Sequence, residues 1–113
     1  MMRWPLTLYV DSLPQGRAGC ANGPVIRILK AKRDDEGLYQ HELMHVKQWF
    51  LTLGLHSLLY LLVDEYKLWA EVAAYRKQAT YYADDRRPLF AGFIAHHYDL
   101  RITPESALAL LRE

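Results

Sequence analysis

The sequence predicts an α+β domain in which a small N-terminal β-sheet edge is followed by about four helices. Three observations carry that reading. At 113 residues the chain has the length of one domain, here residues 1–113. Before residue 34, short β-branched runs alternate with clusters of Gly and Pro. From Asp34 onward, apolar residues recur at helical spacing instead.

Leu6-Thr7-Leu8-Tyr9-Val10 is a run of strand formers, and Val25-Ile26-Arg27-Ile28-Leu29 is a second, with β-branched residues at three of its five positions. The connection from Asp11 to Pro24 is long for a hairpin, so the two strands are not expected to be direct neighbours. Asp34, Asp35 and Glu36 then supply a cap and negative charge for a helix start. Leu38, Leu43, Val46, Trp49, Phe50 and Leu53 give that helix an apolar face to about Leu53, with Gly54 just past its end. Ser57 is placed to cap a longer second helix reaching about Ala79. Pro88 opens a third from Leu89 to about Tyr98, and Thr103-Pro104-Glu105 opens a last one ending at Leu111.

Composition excludes several function classes. Fourteen Lys and Arg against thirteen Asp and Glu leave a net charge of +1, so no basic field exists for nucleic acid. Cys20 is the only cysteine, which rules out an intrachain disulfide and a cysteine-only metal site. Met1 to Val10 lacks the apolar run of a secretory leader. The apolar stretch Trp49 to Val63 is broken by Thr52, Gly54, His56 and Ser57 and falls short of the roughly 18–20 residues that cross a bilayer. A cytoplasmic chain without membrane contact is the expectation.

His41-Glu42-Leu43-Met44-His45 carries the chemistry. Residues four apart share a helix face, so both imidazoles can reach one zinc ion. Glu42 sits about 100° round the helix, beside that ion, where a general base belongs. Chance supplies about 0.01 such motifs in a chain of this composition, so the match carries information. A catalytic zinc takes three protein ligands and keeps one position for water. A third histidine six residues on is absent, since Leu51 stands there and Gln48 occupies the glycine position of that longer motif. Asp64, Glu65 and Glu71 are the candidates on the following helix. Glu71 has the most suitable neighbours, because Ala70, Ala73 and Ala74 permit close approach of two helices.

On these residues the chain resembles the gluzincins, zinc peptidases that pair a HExxH helix with a glutamate ligand on a later helix. Glu71-Val72-Ala73-Ala74 is similar to their glutamate-helix signature, and the short length is most similar to the minimal minigluzincins and to small phage-encoded zincin-like proteins. The resemblance spans about residues 25–80. It implies a zincin-like fold with the HExxH helix at its core, zinc held by His41, His45 and Glu71, and a strand at the upper edge of a cleft for a peptide or protein substrate. The activity it implies is peptide-bond hydrolysis by an activated water, with Glu42 as general base. Lys47 departs from the family, which usually carries a hydrophobic residue there. His96, His97, Tyr66 and Tyr75 are candidate donors to the developing oxyanion. Asp64 and Asp99 read as surface acids, with orientation of a ligand histidine as the alternative; Cys20 reads as a small inert thiol, with zinc ligation as the alternative, and His56 reads as a local cap. The C-terminal segment is a candidate for holding the enzyme latent. The alternative is a non-catalytic zinc-binding factor that meets a protein or membrane surface through its Tyr- and Leu-rich faces.

Overall fold

A computed structural model describes residues 6–113. The Arg3-bearing start of the chain, part of the stretch read for a leader, lies outside the described residues. Strand β3 (Val25–Leu29) is the centre of a three-stranded sheet. Its alternation is that of a half-buried strand: Ile26 and Ile28 are buried while Arg27 between them is exposed. β1 (Thr7–Val10) pairs with it in parallel, Thr7 opposite Ile26 and Val10 opposite Leu29. β2 (Gly19–Asn22) pairs with its other side antiparallel, Asn22 opposite Val25, across the tight turn Gly23-Pro24. Gly23 has φ +58°, a conformation that suits a residue without Cβ.

The two sequence-read strands are therefore direct neighbours, contrary to expectation. A parallel pair cannot close through a short hairpin, and the long connection from Asp11 onward is the crossover that a parallel pair needs. That crossover includes β2, which sequence patterning missed. Gly19-Cys20-Ala21-Asn22 is a poor strand former by itself and is held extended by pairing with β3.

Helix α1 (Glu36–Leu51) begins as the acids predict: the Asp35 carboxylate accepts from the Leu38 amide at 3.0 Å. The Tyr82 hydroxyl donates to the same carboxylate at 2.7 Å and ties the start of α1 to the connection after residue 79. α1 ends two residues before Leu53, at a turn where both Leu53 (φ +54°) and Gly54 (φ +87°) are left-handed. The Gly54 amide closes that turn on the Trp49 carbonyl at 2.8 Å.

The expected single second helix is two. α2 (His56–Leu62) stops at Val63, which is extended, and α3 (Asp64–Ala79) begins at once. Ser57 lies inside α2 and caps nothing; the residue before the helix, Leu55, makes no side-chain cap either. Asp64 and Glu65 fall in the first turn of α3, where negative charge favours a new start. α4 (Arg87–His97) and α5 (Pro104–Leu111) follow as read, and the Thr103 hydroxyl accepts from the Ser106 amide.

Two apolar clusters result. One joins the sheet to α1 through Ile26, Ile28, Leu38, Tyr39 and Val46. The other gathers α3, α4 and α5 around Val72, Tyr75, Phe90, Ile94, Ala107 and Leu111. The C-terminal helices are thus core for α3, not a strap over the HExxH helix. The molecule is α+β, with α1 packed along α3 where the two clusters meet.

Candidate metal centre

Ala70 and Ala74, both fully buried, let α3 lie close against α1, and Glu71 beside them projects into the seam. His41, Glu42, His45 and Glu71 are all buried, none more than 9% exposed. The Nε2 atoms of His41 and His45 stand 3.4 and 3.3 Å from the same atom, Glu71 Oε1. Two ligand atoms on a tetrahedral zinc with bonds of about 2.0–2.1 Å are themselves about 3.3–3.4 Å apart, so both separations suit a shared ion. Among the described residues, the fully buried side-chain polar atoms without a hydrogen-bond partner are His41 Nδ1 and Glu71 Oε1. Glu71 Oε1 thus has two imidazole nitrogens at contact distance and no aligned hydrogen bond from either. The donor set His, His and Glu can hold a metal ion, and it is the cluster of three His, Cys, Asp or Glu that the described residues bring together.

The surroundings orient this set. His45 Nδ1 is hydrogen-bonded to Gln48 Oε1 at 2.9 Å, and Gln48 Nε2 donates to the Ala70 carbonyl at 3.1 Å. An imidazole that donates from Nδ1 presents a lone pair at Nε2. The Tyr60 hydroxyl donates to Glu71 Oε2, leaving Oε1 for the two histidines. Burial and the Glu71 carboxylate push the Tyr60 hydroxyl up, so it stays a donor. The Tyr75 ring packs edge-on to His41 at 4.2 Å between centroids.

The charges are strongly coupled. Burial pulls His45 down, but the Glu71 carboxylate overrides it and, with Glu42 and Gln48, pushes the imidazole up to about 9. Burial pushes the Glu71 carboxyl up, yet the two imidazoles outweigh it and hold Glu71 well below the usual carboxylate range. At Glu42 burial wins over the same imidazoles and raises the carboxyl. β2 closes over that carboxylate: a Cβ on Gly19 would lie 3.2 Å from Glu42 Oε2. β2 is therefore the edge strand beside Glu42, while the sequence-read strand Val25–Leu29 is central.

Several candidates fall elsewhere. Asp64 and Glu65 are exposed at the start of α3, too far up the helix to join Glu71. Asp99 is exposed, with φ +57°. Positioning of His45 comes instead from Gln48, whose signal was its place three residues after the histidine on the same helix. His96 and His97 are exposed at the end of α4, with His97 stacked on Phe93. Tyr75 hydrogen-bonds Tyr98 at 2.7 Å. Tyr66 bonds His56 Nδ1 at 2.6 Å, so His56, the first residue of α2, anchors that helix to α3 and does not act as the cap the sequence suggested. Tyr60, not singled out in the sequence, is the tyrosine bonded to the triad. Cys20 is half-buried on β2 and outside the triad. Comparison with known protein families, curated proteins and solved structures finds no match for this chain.

Proposed function

We propose that the chain is a zinc-dependent peptide-bond hydrolase with a zincin-like arrangement of its site. The observation that carries the reading is the convergence of His41 and His45 Nε2 on Glu71 Oε1 with the buried carboxylate of Glu42 alongside. His41, His45 and Glu71 would hold the ion. Zinc in such a site supplies Lewis-acid activation of water and of a substrate carbonyl. Glu42 accepts and returns the proton, and its burial moves its carboxyl toward the range in which a group can do both. Gln48 fixes the ring of His45, and Tyr60 fixes the carboxylate of Glu71. β2 pairs with no further strand among the described residues, which supports the reading that an extended peptide lies beside Glu42. The triad is buried and the Tyr60 hydroxyl of α2 rests on Glu71, so the reading needs the site to open before such a peptide reaches it.

That burial also favours a second reading, a non-catalytic zinc-binding protein whose metal serves the fold. One experiment separates them. Protein purified without added metal is analysed for zinc and assayed on an unstructured protein substrate, beside Glu42→Gln and Glu71→Ala. The hydrolase reading expects one zinc per chain, loss of activity with zinc retained in Glu42→Gln, and loss of zinc in Glu71→Ala. Zinc without activity in the wild type supports the second reading, and no zinc even when supplied overturns both.

A further inference from the structure

Arg17 follows the short turn Pro14–Gly16 and stands two residues before Gly19, whose Cα faces the Glu42 carboxylate. Its backbone is held on both sides. The Arg17 amide donates to the Pro14 carbonyl at 3.2 Å, and the neighbouring Ala18 carbonyl accepts from the Leu29 amide of β3 at 2.9 Å. Just before it, Gln15 is left-handed at φ +60°, a conformation that few residues with a side chain adopt. The Arg17 side chain is exposed, yet its charge reaches inward. It acts on Glu42 of α1, Tyr60 of α2, Tyr75 of α3 and Cys20 of β2. No other Lys or Arg among the described residues weighs as heavily on Glu42, Tyr60 or Tyr75. These groups belong to four different elements, so a charge felt by all of them stands where the elements meet, at the rim of the metal centre.

The polar side chains around the triad are otherwise spent. Tyr60 donates to Glu71, Tyr75 is bonded to Tyr98, His56 to Tyr66, and Gln48 to both His45 and Ala70. Arg17 differs: among the described residues its guanidinium makes no hydrogen bond and no ion pair, so its five N–H donors are open. We propose that Arg17 is the substrate anchor of this site, a fork that holds a carboxylate of the peptide whose bond Glu42 serves. The proposal rests on the hydrolase reading and names its substrate class: peptides with a carboxylate close to the bond cut, either a free C-terminus or an Asp or Glu side chain. A guanidinium matches a carboxylate in shape as well as charge, through two parallel bonds. Because the triad is buried and Arg17 exposed, the carboxylate meets the guanidinium first. The peptide is then held beside β2 before its reacting bond approaches the centre.

A set of labelled peptides of one otherwise neutral sequence tests the anchor. One has no carboxylate, one a free C-terminus, and the others a single Glu stepped along the chain. Their affinities for the full chain carrying Glu42→Gln, with zinc supplied, are read by fluorescence anisotropy, alone and combined with Arg17→Gln or Arg17→Lys. A carboxylate should tighten binding about 10–100-fold, the usual effect of a charge-assisted bond. Arg17→Gln should remove that preference, and Arg17→Lys, which keeps the charge but not the fork, should restore part of it. The peptide that carries the preference tells a chain end from a side chain. Thermal melts and zinc content of the Arg17 variants should match those of the parent, because the side chain is exposed. Hydrolysis of the same peptides with Glu42 intact separates this proposal from the reading beneath it. Carboxylate-dependent binding that needs Arg17, without hydrolysis, removes the hydrolase reading and leaves the anchor standing. Affinity indifferent to the carboxylate, or a preference that survives Arg17→Gln, overturns the anchor whatever the activity. An equal loss of hydrolysis on every peptide in Arg17→Gln also overturns it, making Arg17 a donor to the reacting carbonyl instead.

Discussion

Gln48→Ala probes how the centre is held together. Gln48 is 1% exposed and spans the seam, with one amide atom on His45 and the other on the Ala70 backbone. Truncation strands one buried polar group, His45 Nδ1, at about 1–3 kcal/mol, and removes a second bond from the Ala70 carbonyl, which keeps its helical bond within α3, at about 0.5–1.5 kcal/mol, before any cavity left behind is counted. A loss of about 3 kcal/mol in the metal-free protein corresponds to a fall of about 12 °C in Tm, at about 4 °C per kcal/mol for this length. Zinc affinity should fall about 10–100-fold, the usual effect of removing the group that orients a ligand histidine. Gln48→Glu separates the two roles. A carboxylate still accepts from His45 Nδ1 but cannot donate to Ala70, so the fold should weaken while zinc affinity is largely kept. Thermal melts in chelator and competition titrations of zinc read the two effects apart. Wild-type zinc affinity in Gln48→Ala would refute the orienting role, and equal losses of affinity in both variants would reduce Gln48 to packing.

Two further outcomes follow from the electrostatics and the close approach of β2. His45 is raised in the folded state, so its contribution to metal-free stability is complete below 6.5 and lost as pH rises through about 9. The raised Glu42 adds a loss of the same sign, while the lowered Glu71 withdraws its contribution only as the solution becomes more acid than its ordinary 4.5. The metal-free Tm should therefore decline from pH 6.5 toward 9 while zinc affinity climbs, because binding must displace the His45 proton; calorimetry in buffers of different ionisation enthalpy should show that proton released, and pH-independent affinity would refute the coupling. Gly19→Ala places a methyl 3.2 Å from Glu42 Oε2 and 3.3 Å from its Cγ. It should displace Glu42 and depress hydrolysis at least tenfold while zinc content stays at the wild-type level, and unchanged turnover with full zinc would show that β2 does not position the base.

What the sequence made legible was local. The helix carrying His41 and His45 followed from its acidic cap and its apolar spacing, and α5 from Thr103-Pro104-Glu105, because caps and periodicity act over a few residues. Glu71 was reachable because the alanines around it state how closely α3 can be approached. β2 was not, since Gly19-Cys20-Ala21-Asn22 becomes a strand only through β3. Nor was the break at Val63 between α2 and α3, where a continuous apolar pattern conceals a turn. Gln48 could have been read from its place three residues after His45 on α1, but its second bond, to Ala70, and the bond of Tyr60 to Glu71 join elements distant in the chain, and spacing within one helix does not announce such partners.

The two apolar clusters meet along a strip that is itself largely polar, and this has a consequence for cooperativity. Sheet and α1 own one core, α3 to α5 own the other, and between them lie the histidines, the carboxylates and the small faces of Ala70 and Ala74. Apart from the close approach of α1 and α3 at Ala70 and Ala74, the halves are joined there by a few directional bonds. An ion bound by two ligands from α1 and one from α3 would act as a rivet across that strip. With the rivet in place the molecule should melt as one unit; stripped of it, the halves are free to open at separate temperatures, each with its own hydrogen-exchange horizon.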